Sequence, residues 1–347
     1  MAKEPISKIS LSRDEVSALV AQFGFPLPLA ETAVLFGGYS GTSIKVVSET
    51  GERAVLKVCH GYSAEDAEAQ AAIAVHARAH GFAHACTALP VAGGGARHTV
   101  ALPGVDATPA MLLSWVEGVS ADKVVAAGAV SPAAVLRSLG AGLAGLHSVP
   151  VDAAAARALR PLERGGACDV AKHLSGEIHR TLAASPHARD HAFFPFYERQ
   201  LGLLRAAMAT EGLPRGLLHG DPFLDNALVS AADGSLAGWV DLEDVAVGPT
   251  LFDVACCACA ACFRADNALD LRRLRALLSG YVSVRPLAAA ERSAFVSFMK
   301  ATMLCNCAWR FKNFNLDHRE IEACRDAHVE LQQRILALED DFTLAAI

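Results

Sequence analysis

Two acids and an amide in one short part of this chain have the types and order that phosphoryl transfer needs. The first stretch runs His219-Gly220-Asp221-Pro222-Phe223-Leu224-Asp225-Asn226, and Val240-Asp241-Leu242-Glu243-Asp244 follows after a turn. Asp221 is the candidate to accept or orient the proton of an attacking hydroxyl. Asn226 and Asp241 offer oxygen atoms to Mg²⁺, a hard cation that takes few protein oxygens together with phosphates and water. A bare Asp is a weak base at neutral pH. Positioning and stabilisation of charge on the moving phosphoryl group must therefore carry much of the acceleration. His219 is expected to pack and hydrogen-bond within the loop, and Glu243 reads either as a solvated loop acid or as a contact for a cationic substrate or second metal.

The same order and spacing resemble the protein-kinase signature, with Gly220 standing for its Arg and Asp241-Leu242-Glu243 for its Asp-Phe-Gly. In this form, H-G-D-x-x-x-x-N with a later hydrophobic-Asp, the pair resembles the aminoglycoside phosphotransferase, choline kinase and homoserine kinase superfamily. Its members phosphorylate small molecules. The resemblance implies an α+β, protein-kinase-like, bilobal fold. A small N-terminal lobe, residues 1–117, would hold an antiparallel sheet, one helix and the ATP site. A larger, mostly helical lobe, 118–347, would hold the catalytic and substrate-binding groups. It also implies ATP and Mg²⁺ as cofactors and a hydroxyl-bearing small molecule as acceptor. An inactive nucleotide-binding relative is the alternative from a different class.

These groups need elements to position them. Ile9 to Phe23 carries apolar residues at helical spacing behind Ser12, which has the place of an N-cap. Val34 to Val47 predicts a hairpin around Gly37-Gly38-Tyr39-Ser40-Gly41, and Arg53 to Val58 predicts a third strand. The glycine turn suits either an ordinary hairpin or a flap whose backbone N–H groups at Gly38 and Ser40 lie over phosphates. Lys57 on the third strand then takes the place of the kinase lysine, and Glu68, on a helix from Ala64 to His80, that of its partner. The apolar run Ala110 to Val116 occupies the place of the hinge, where Ser114, Trp115 and Val116 would meet adenine through their backbone. Asp233-Gly234 predicts a hairpin that carries Asp221, Asn226 and Asp241 to one edge. The resemblance gives Asp253 the task of tying down the loop.

The composition excludes several classes. A net charge of −6 over 347 residues supplies no basic stripe for nucleic acid. With 52% hydrophobic residues the chain can bury a core. Its longest apolar run, Val254 to Phe263, is too short to span a bilayer. The ten cysteines lack the pattern of a secreted disulfide scaffold, so a cytoplasmic protein with reduced thiols is expected. Cys256, Cys257, Cys259 and Cys262 read as small apolar side chains of a buried helix.

The acceptor is harder to read. Gly280-Tyr281, Arg285-Pro286-Leu287 and Glu291, followed by Trp309-Arg310-Phe311-Lys312, resemble homoserine kinases of the superfamily, although the glycine turn departs from their usual Glu-x-Ser-Asn. Arg310 is a candidate for a substrate carboxylate, and an equally open reading makes it an ordinary basic residue of an amphipathic helix. Homoserine is the first expectation. Hydroxylysine, choline or an aminoglycoside are the alternatives.

Overall fold

The computed structural model describes residues 9–35, 41–102, 108–153, 155–157, 159, 177–208 and 210–338. By their contacts they fall into two compact units. One is drawn from Met1–Gly118, Asp152–Arg164 and Ala237–Val240, the other from Val119–Val151, Gly165–Leu236 and Asp241–Ile347.

Alternation of buried and exposed side chains builds the first unit. Along β2 (Gly41–Ser48) the residues Thr42, Ile44, Val46 and Ser48 are buried and their neighbours are not, which is the period of a half-buried strand. β2 lies between β1 (Leu29–Leu35) and β3 (Arg53–Cys59) in an antiparallel sheet of order β1-β2-β3-β5-β4, completed by β4 (Thr99–Ala101) and β5 (Pro109–Ser114). One face packs on α1 (Arg13–Ala21), where Val16, Leu19 and Val20 meet Ile44, Val46, Leu56, Val58 and Leu112. Each such fully buried side chain contributes about 1.5–3 kcal/mol. Ser12 does cap α1. Its Oγ accepts the Glu15 N–H at 3.3 Å, and its own N–H donates to the Glu15 carboxylate at 2.7 Å. Ala67 and Ala71 of α2 (Ala64–Ala79) cluster with Cys59 of β3 and Met111 of β5.

The second unit is mostly helical. Its elements begin with β6 (Val119–Ser120), α3 (Ala121–Ala127), α4 (Pro132–His147), α5 (Glu177–Ala184), α6 (Pro186–Asp190) and α7 (Phe193–Met208). β7 (Arg215–Leu218) and β8 (Ala227–Val229) follow; β9 (Leu236–Trp239) belongs mainly to the first unit. β10 (Ala246–Pro249), α8 (Leu251–Ala261), α9 (Leu271–Val284), α10 (Ala289–Lys312) and α11 (Ala327–Ala337) complete the order. β10 pairs antiparallel with β7, and β6 with β8.

Helices α4 and α9 meet at glycine. A Cβ on Gly140 would stand 2.0 Å from the Leu277 carbonyl oxygen, and one on Gly280 would stand 1.9 Å from that of Arg137. The missing side chains let the two backbones touch, which offsets what glycine costs inside a helix. α10 runs through the core, burying Phe295, Phe298, Met299, Met303, Leu304 and Phe311. Phe311 stacks on Phe193 of α7 with ring centroids 4.5 Å apart. The cysteines of α8 are buried among these helices. Cys259 donates its thiol to the Met299 carbonyl at 3.3 Å, and burial pushes its pKa up to about 12. Among the described residues no helix is long and apolar enough to cross a membrane.

Candidate active site

Within the second unit, β7 ends at Leu218 and delivers the chain into the loop His219–Asn226. Gly220 has φ +85°, a left-handed backbone that costs glycine little and an Arg considerably more. That explains the glycine between His219 and Asp221. The Asp221 N–H donates to His219 Nδ1 at 3.3 Å, and His219 is fully buried. The imidazole packs and hydrogen-bonds within the loop, as expected of it.

Asn226 closes the loop. It ends a short 3-10 turn, Leu224–Asn226. Its Nδ2 donates to the Asp221 carbonyl at 2.9 Å and to the Asp221 carboxylate at 3.0 Å. With the amide nitrogen committed to Asp221, the oxygen of Asn226 is the atom left to act as a ligand. Asp241 follows β9 with φ +63°. A non-glycine residue in that region is strained and tends to mark a functional position. Asp241 stands at the start of the 3-10 turn Leu242–Asp244, which includes Glu243. Asp221, Asn226 and Asp241 thus offer oxygen donors only, which fits Mg²⁺ chemically.

A buried polar chain fastens this loop. Asp253, in the first turn of α8, accepts the His219 N–H through Oδ2 at 2.7 Å and the Gly220 N–H through Oδ1 at 3.0 Å. Its Oδ2 also lies 3.0 Å from His147 Nε2 at the end of α4. A carboxylate only accepts, so Nε2 carries a proton, and Nδ1 lies 2.8 Å from the Tyr281 hydroxyl. The Tyr281 oxygen in turn accepts Arg285 Nη1 at 2.7 Å. Arg285 pairs with the fully buried Glu291 at 3.1 Å, and the Thr250 hydroxyl donates to Glu291 at 2.9 Å. Burial holds the Tyr281 hydroxyl protonated, its pKa pushed up to about 12. The Gly-Tyr, Arg-Pro-Leu and Glu of the sequence are therefore a scaffold. Gly280 lets α9 lie against α4, and Tyr281 and Arg285 carry the fastening onward to Glu291. Sequence reasoning gave no role to His147, Thr250 or this chain, although the spaced polar residues were its signal.

In the first unit, Lys57 is buried on β3, opposite Ser43 of β2 and Met111 of β5. Glu68 receives donors from the neighbouring β4. Its Oε1 accepts the His98 N–H at 2.8 Å and lies 2.9 Å from His98 Nδ1, while Oε2 accepts the Thr99 hydroxyl at 2.8 Å. Nothing in the local sequence foretold that anchoring, which engages both carboxylate oxygens in place of the expected partnership with Lys57. Gly38 and Ser40 lie outside the described residues.

The hinge expectation needs a correction at Ser114. Its N–H donates to the Thr87 carbonyl at 2.8 Å, its Oγ accepts the Thr87 N–H at 3.1 Å, and the Cys86 thiol donates to its carbonyl at 3.3 Å. Ser114 is occupied in fastening β5, so its backbone is spent on the neighbouring Cys86 and Thr87. The Trp115 indole N–H donates to Glu117 at 2.9 Å, and Arg53 and Lys45 lie 5.6 and 5.7 Å from its ring centroid. Val116 packs where Gly238 leaves room, since a Cβ there would meet its Cγ1 at 2.9 Å.

Arg310 is the second correction. Its Nη1 donates to the Ala327 carbonyl at 2.9 Å and pairs with Glu330 at 3.2 Å, joining α10 to α11. The guanidinium is spent on packing, and the case for a substrate carboxylate there falls away. Lys312 likewise pairs with Asp317.

A model of the APH family, described as a phosphotransferase enzyme family, matches residues 32–287. The chain belongs to this family. A homoserine kinase of Gluconacetobacter diazotrophicus is 37% identical over 153 residues, 43% of this chain and 47% of that protein. The chain thus aligns with about half the length of that relative. A homoserine kinase of Phenylobacterium zucineum is 29% identical over 287 residues, 82% of this chain and 80% of that protein. Among solved structures, an amicoumacin kinase in complex with AMP-PNP, Ca²⁺ and Ami superposes with a TM-score of 0.68 at 15% identity, covering 94% of this chain and 93% of that one. The α+β, protein-kinase-like architecture expected from the sequence is the one observed. The loop fastened by Asp253 lies within the segment that the phosphotransferase family model matches.

Proposed function

We propose that this family member moves the γ-phosphate of ATP, with Mg²⁺, to a hydroxyl of a small molecule, homoserine being the first candidate. The observation that carries the reading is the Asn226–Asp221 bond. It commits the amide nitrogen to the carboxylate proposed as catalytic and leaves the amide oxygen as the atom that would meet a cation. Asp221 would orient the acceptor hydroxyl and take its proton. Asn226 and Asp241 would hold Mg²⁺, which when bound offsets charge on the phosphates. Residues 1–117 would form the ATP-binding lobe, with Lys57 on the phosphates. The backbone of Gly38, Ser40, Trp115 and Val116 would lie along the nucleotide. Residues 118–347 would bind the acceptor, with Glu243 beside it.

In this reading the chain itself supplies position. Asp253 fixes the backbone of His219 and Gly220, so Asp221 is presented without reorganisation at the moment of transfer, which is how phosphoryl transfer is accelerated. The homoserine assignment rests on the two relatives and on the Gly280–Glu291 segment shared in pattern. The expected setting is cytoplasmic. A coupled ADP-release assay with homoserine, hydroxylysine, choline and an aminoglycoside tests it. Turnover with homoserine, at a kcat/KM at least tenfold above the others, is the expected result. Preference for choline or an aminoglycoside overturns the acceptor, and Mg-ATP binding without any turnover overturns the activity.

A further inference from the structure

We infer that the first unit carries a binding site for a late first-row divalent cation of the zinc class, formed by His76, His80 and Asp152. None of the three belongs to the phosphotransfer set. His76 and His80 stand one turn apart on α2, and a spacing of four puts both imidazoles on one helix face. Their ring centroids are 4.1 Å apart. Asp152 reaches the same place from a distant part of the chain, and one ligand atom from each of the three lies within 4.8 Å of the others. Two imidazoles with one carboxylate are a donor set for zinc and its neighbours. Mg²⁺ and Ca²⁺ take oxygen ligands instead.

Two hydrogen bonds orient these ligands. His80 Nδ1 lies 2.9 Å from the His76 carbonyl oxygen. A carbonyl only accepts, so Nδ1 carries the proton and Nε2 presents its lone pair. A backbone carbonyl fixing the tautomer in this way is the usual support of a metal-binding histidine. Asp152 is held as well, because its Oδ1 accepts the Ala155 N–H at 2.8 Å and caps the helical turn that follows. The carboxylate is the group that would meet a cation. Tetrahedral zinc, bound at the usual nitrogen and oxygen distances, sets its ligand atoms about 3.4 Å apart. The three atoms must close in from at most 4.8 Å. His80 and Asp152 are exposed and His76 is half-buried, so side-chain rotation can supply that movement. A water completes the fourth position. The bound cation would join α2 to the chain at Asp152, stabilising the first unit by binding only the folded form.

Calorimetric titration of Zn²⁺ into the full chain, without nucleotide and in chelator-treated buffer, tests the site. One Zn²⁺ per chain should bind, and thermal unfolding should shift upward with the metal. His76→Ala and His80→Ala should each weaken binding at least about tenfold. Asp152→Asn keeps an oxygen for the Ala155 cap while losing the charge, and should weaken it too. His187→Ala, at an exposed histidine elsewhere, should leave it unchanged. Circular dichroism checks that each variant is folded. Replacing zinc by Co²⁺ gives a second readout, since its visible absorption should change when one imidazole is removed. Absence of a zinc titration, wild-type affinity in folded His80→Ala, or an equal loss in His187→Ala would each overturn the site.

Discussion

His147 Nε2 lies 3.0 Å from the Asp253 carboxylate, and neither side chain has any exposed surface. The bond links the end of α4 to the residue that holds the backbone of His219 and Gly220. Removing the imidazole by His147→Ala leaves a buried carboxylate and a buried tyrosine hydroxyl each short of a partner. The expected loss is about 2–4 kcal/mol of stability. The loop should also lose its fixed position, lowering kcat more than it changes the KM for ATP. Denaturant titration and steady-state kinetics of the variant check both. A stability within about 0.5 kcal/mol of wild type, with unchanged kcat, would show that the chain of bonds does not support the loop.

Asp221→Ala removes the carboxylate proposed to orient the acceptor hydroxyl. Proton-transfer groups of this kind contribute about 10²–10⁴ in rate, and a loss of that size in kcat is expected. ATP binding, followed by fluorescence of a nucleotide analogue, should be nearly unchanged, since the groups assigned to the nucleotide are elsewhere. Retained turnover would remove Asp221 from the chemistry.

The sheet, α1 and the loop were legible because local rules decide them. Ser12 with Glu15 is a capping box written in four residues, and the period of two along β2 appears in the side chains themselves. The spacing of Asp221 and Asn226 likewise reports one loop. Arg310 could not be read, because its partner depends on how α11 packs on α10, and a basic residue near the end of a helix looks the same in either role. Tyr281 and Arg285 were visible as a pattern but not as a scaffold. Their partners, His147 and Glu291, are set by the α4–α9 crossing and by the start of α10. Glu68 shows the same limit, since α2 does not announce that β4 will bring His98 and Thr99 beside it.

The α4–α9 crossing gives a sharp test. Gly280→Ala adds a Cβ 1.9 Å from the Arg137 carbonyl oxygen, a contact that backbone must relieve. Alanine gains about 1 kcal/mol in helix propensity, while overpacking of a tight core costs about 1–3 kcal/mol or more. The overlap is with backbone, so the cost should win and the variant should be less stable. The helices must move apart, which should weaken the Tyr281–His147 bond and lower kcat. Unfolding curves and kinetics of Gly280→Ala decide the matter; a more stable, fully active variant would show that the crossing is loose.

Arg310→Ala separates packing from substrate binding. Loss of the Ala327 and Glu330 contacts should cost about 1 kcal/mol, as expected for a part-buried charged hydrogen bond. The KM for the acceptor should stay within twofold of wild type. A tenfold rise in that KM with unchanged stability would restore Arg310 as a substrate ligand.

Stability should fall in mild acid because of a packed imidazole pair, His328 buried and His191 partly exposed. His328 is 2% exposed. Its ring lies 5.1 Å from Phe311, 5.2 Å from Phe193 and 5.8 Å from His191, centroid to centroid. Burial lowers the pKa of both histidines. For His328, the Arg325 carbonyl and Asp326 oppose that shift and His191 adds to it; for His191, His187 adds to it and Asp326 opposes it. The folded chain therefore binds fewer protons than the unfolded one, whose histidines titrate near pH 6.5. Stability is complete above that pH and declines as pH falls toward the lowered folded pKa values. His328→Asn keeps a donor for the Arg325 carbonyl, which Nδ1 meets at 3.1 Å, and removes the titration. Its melting temperature should be lower at pH 7.5, through lost ring contacts, and should fall less steeply between pH 7 and 5. Melting curves of both proteins across that range check it, and parallel slopes would place the acid sensitivity elsewhere.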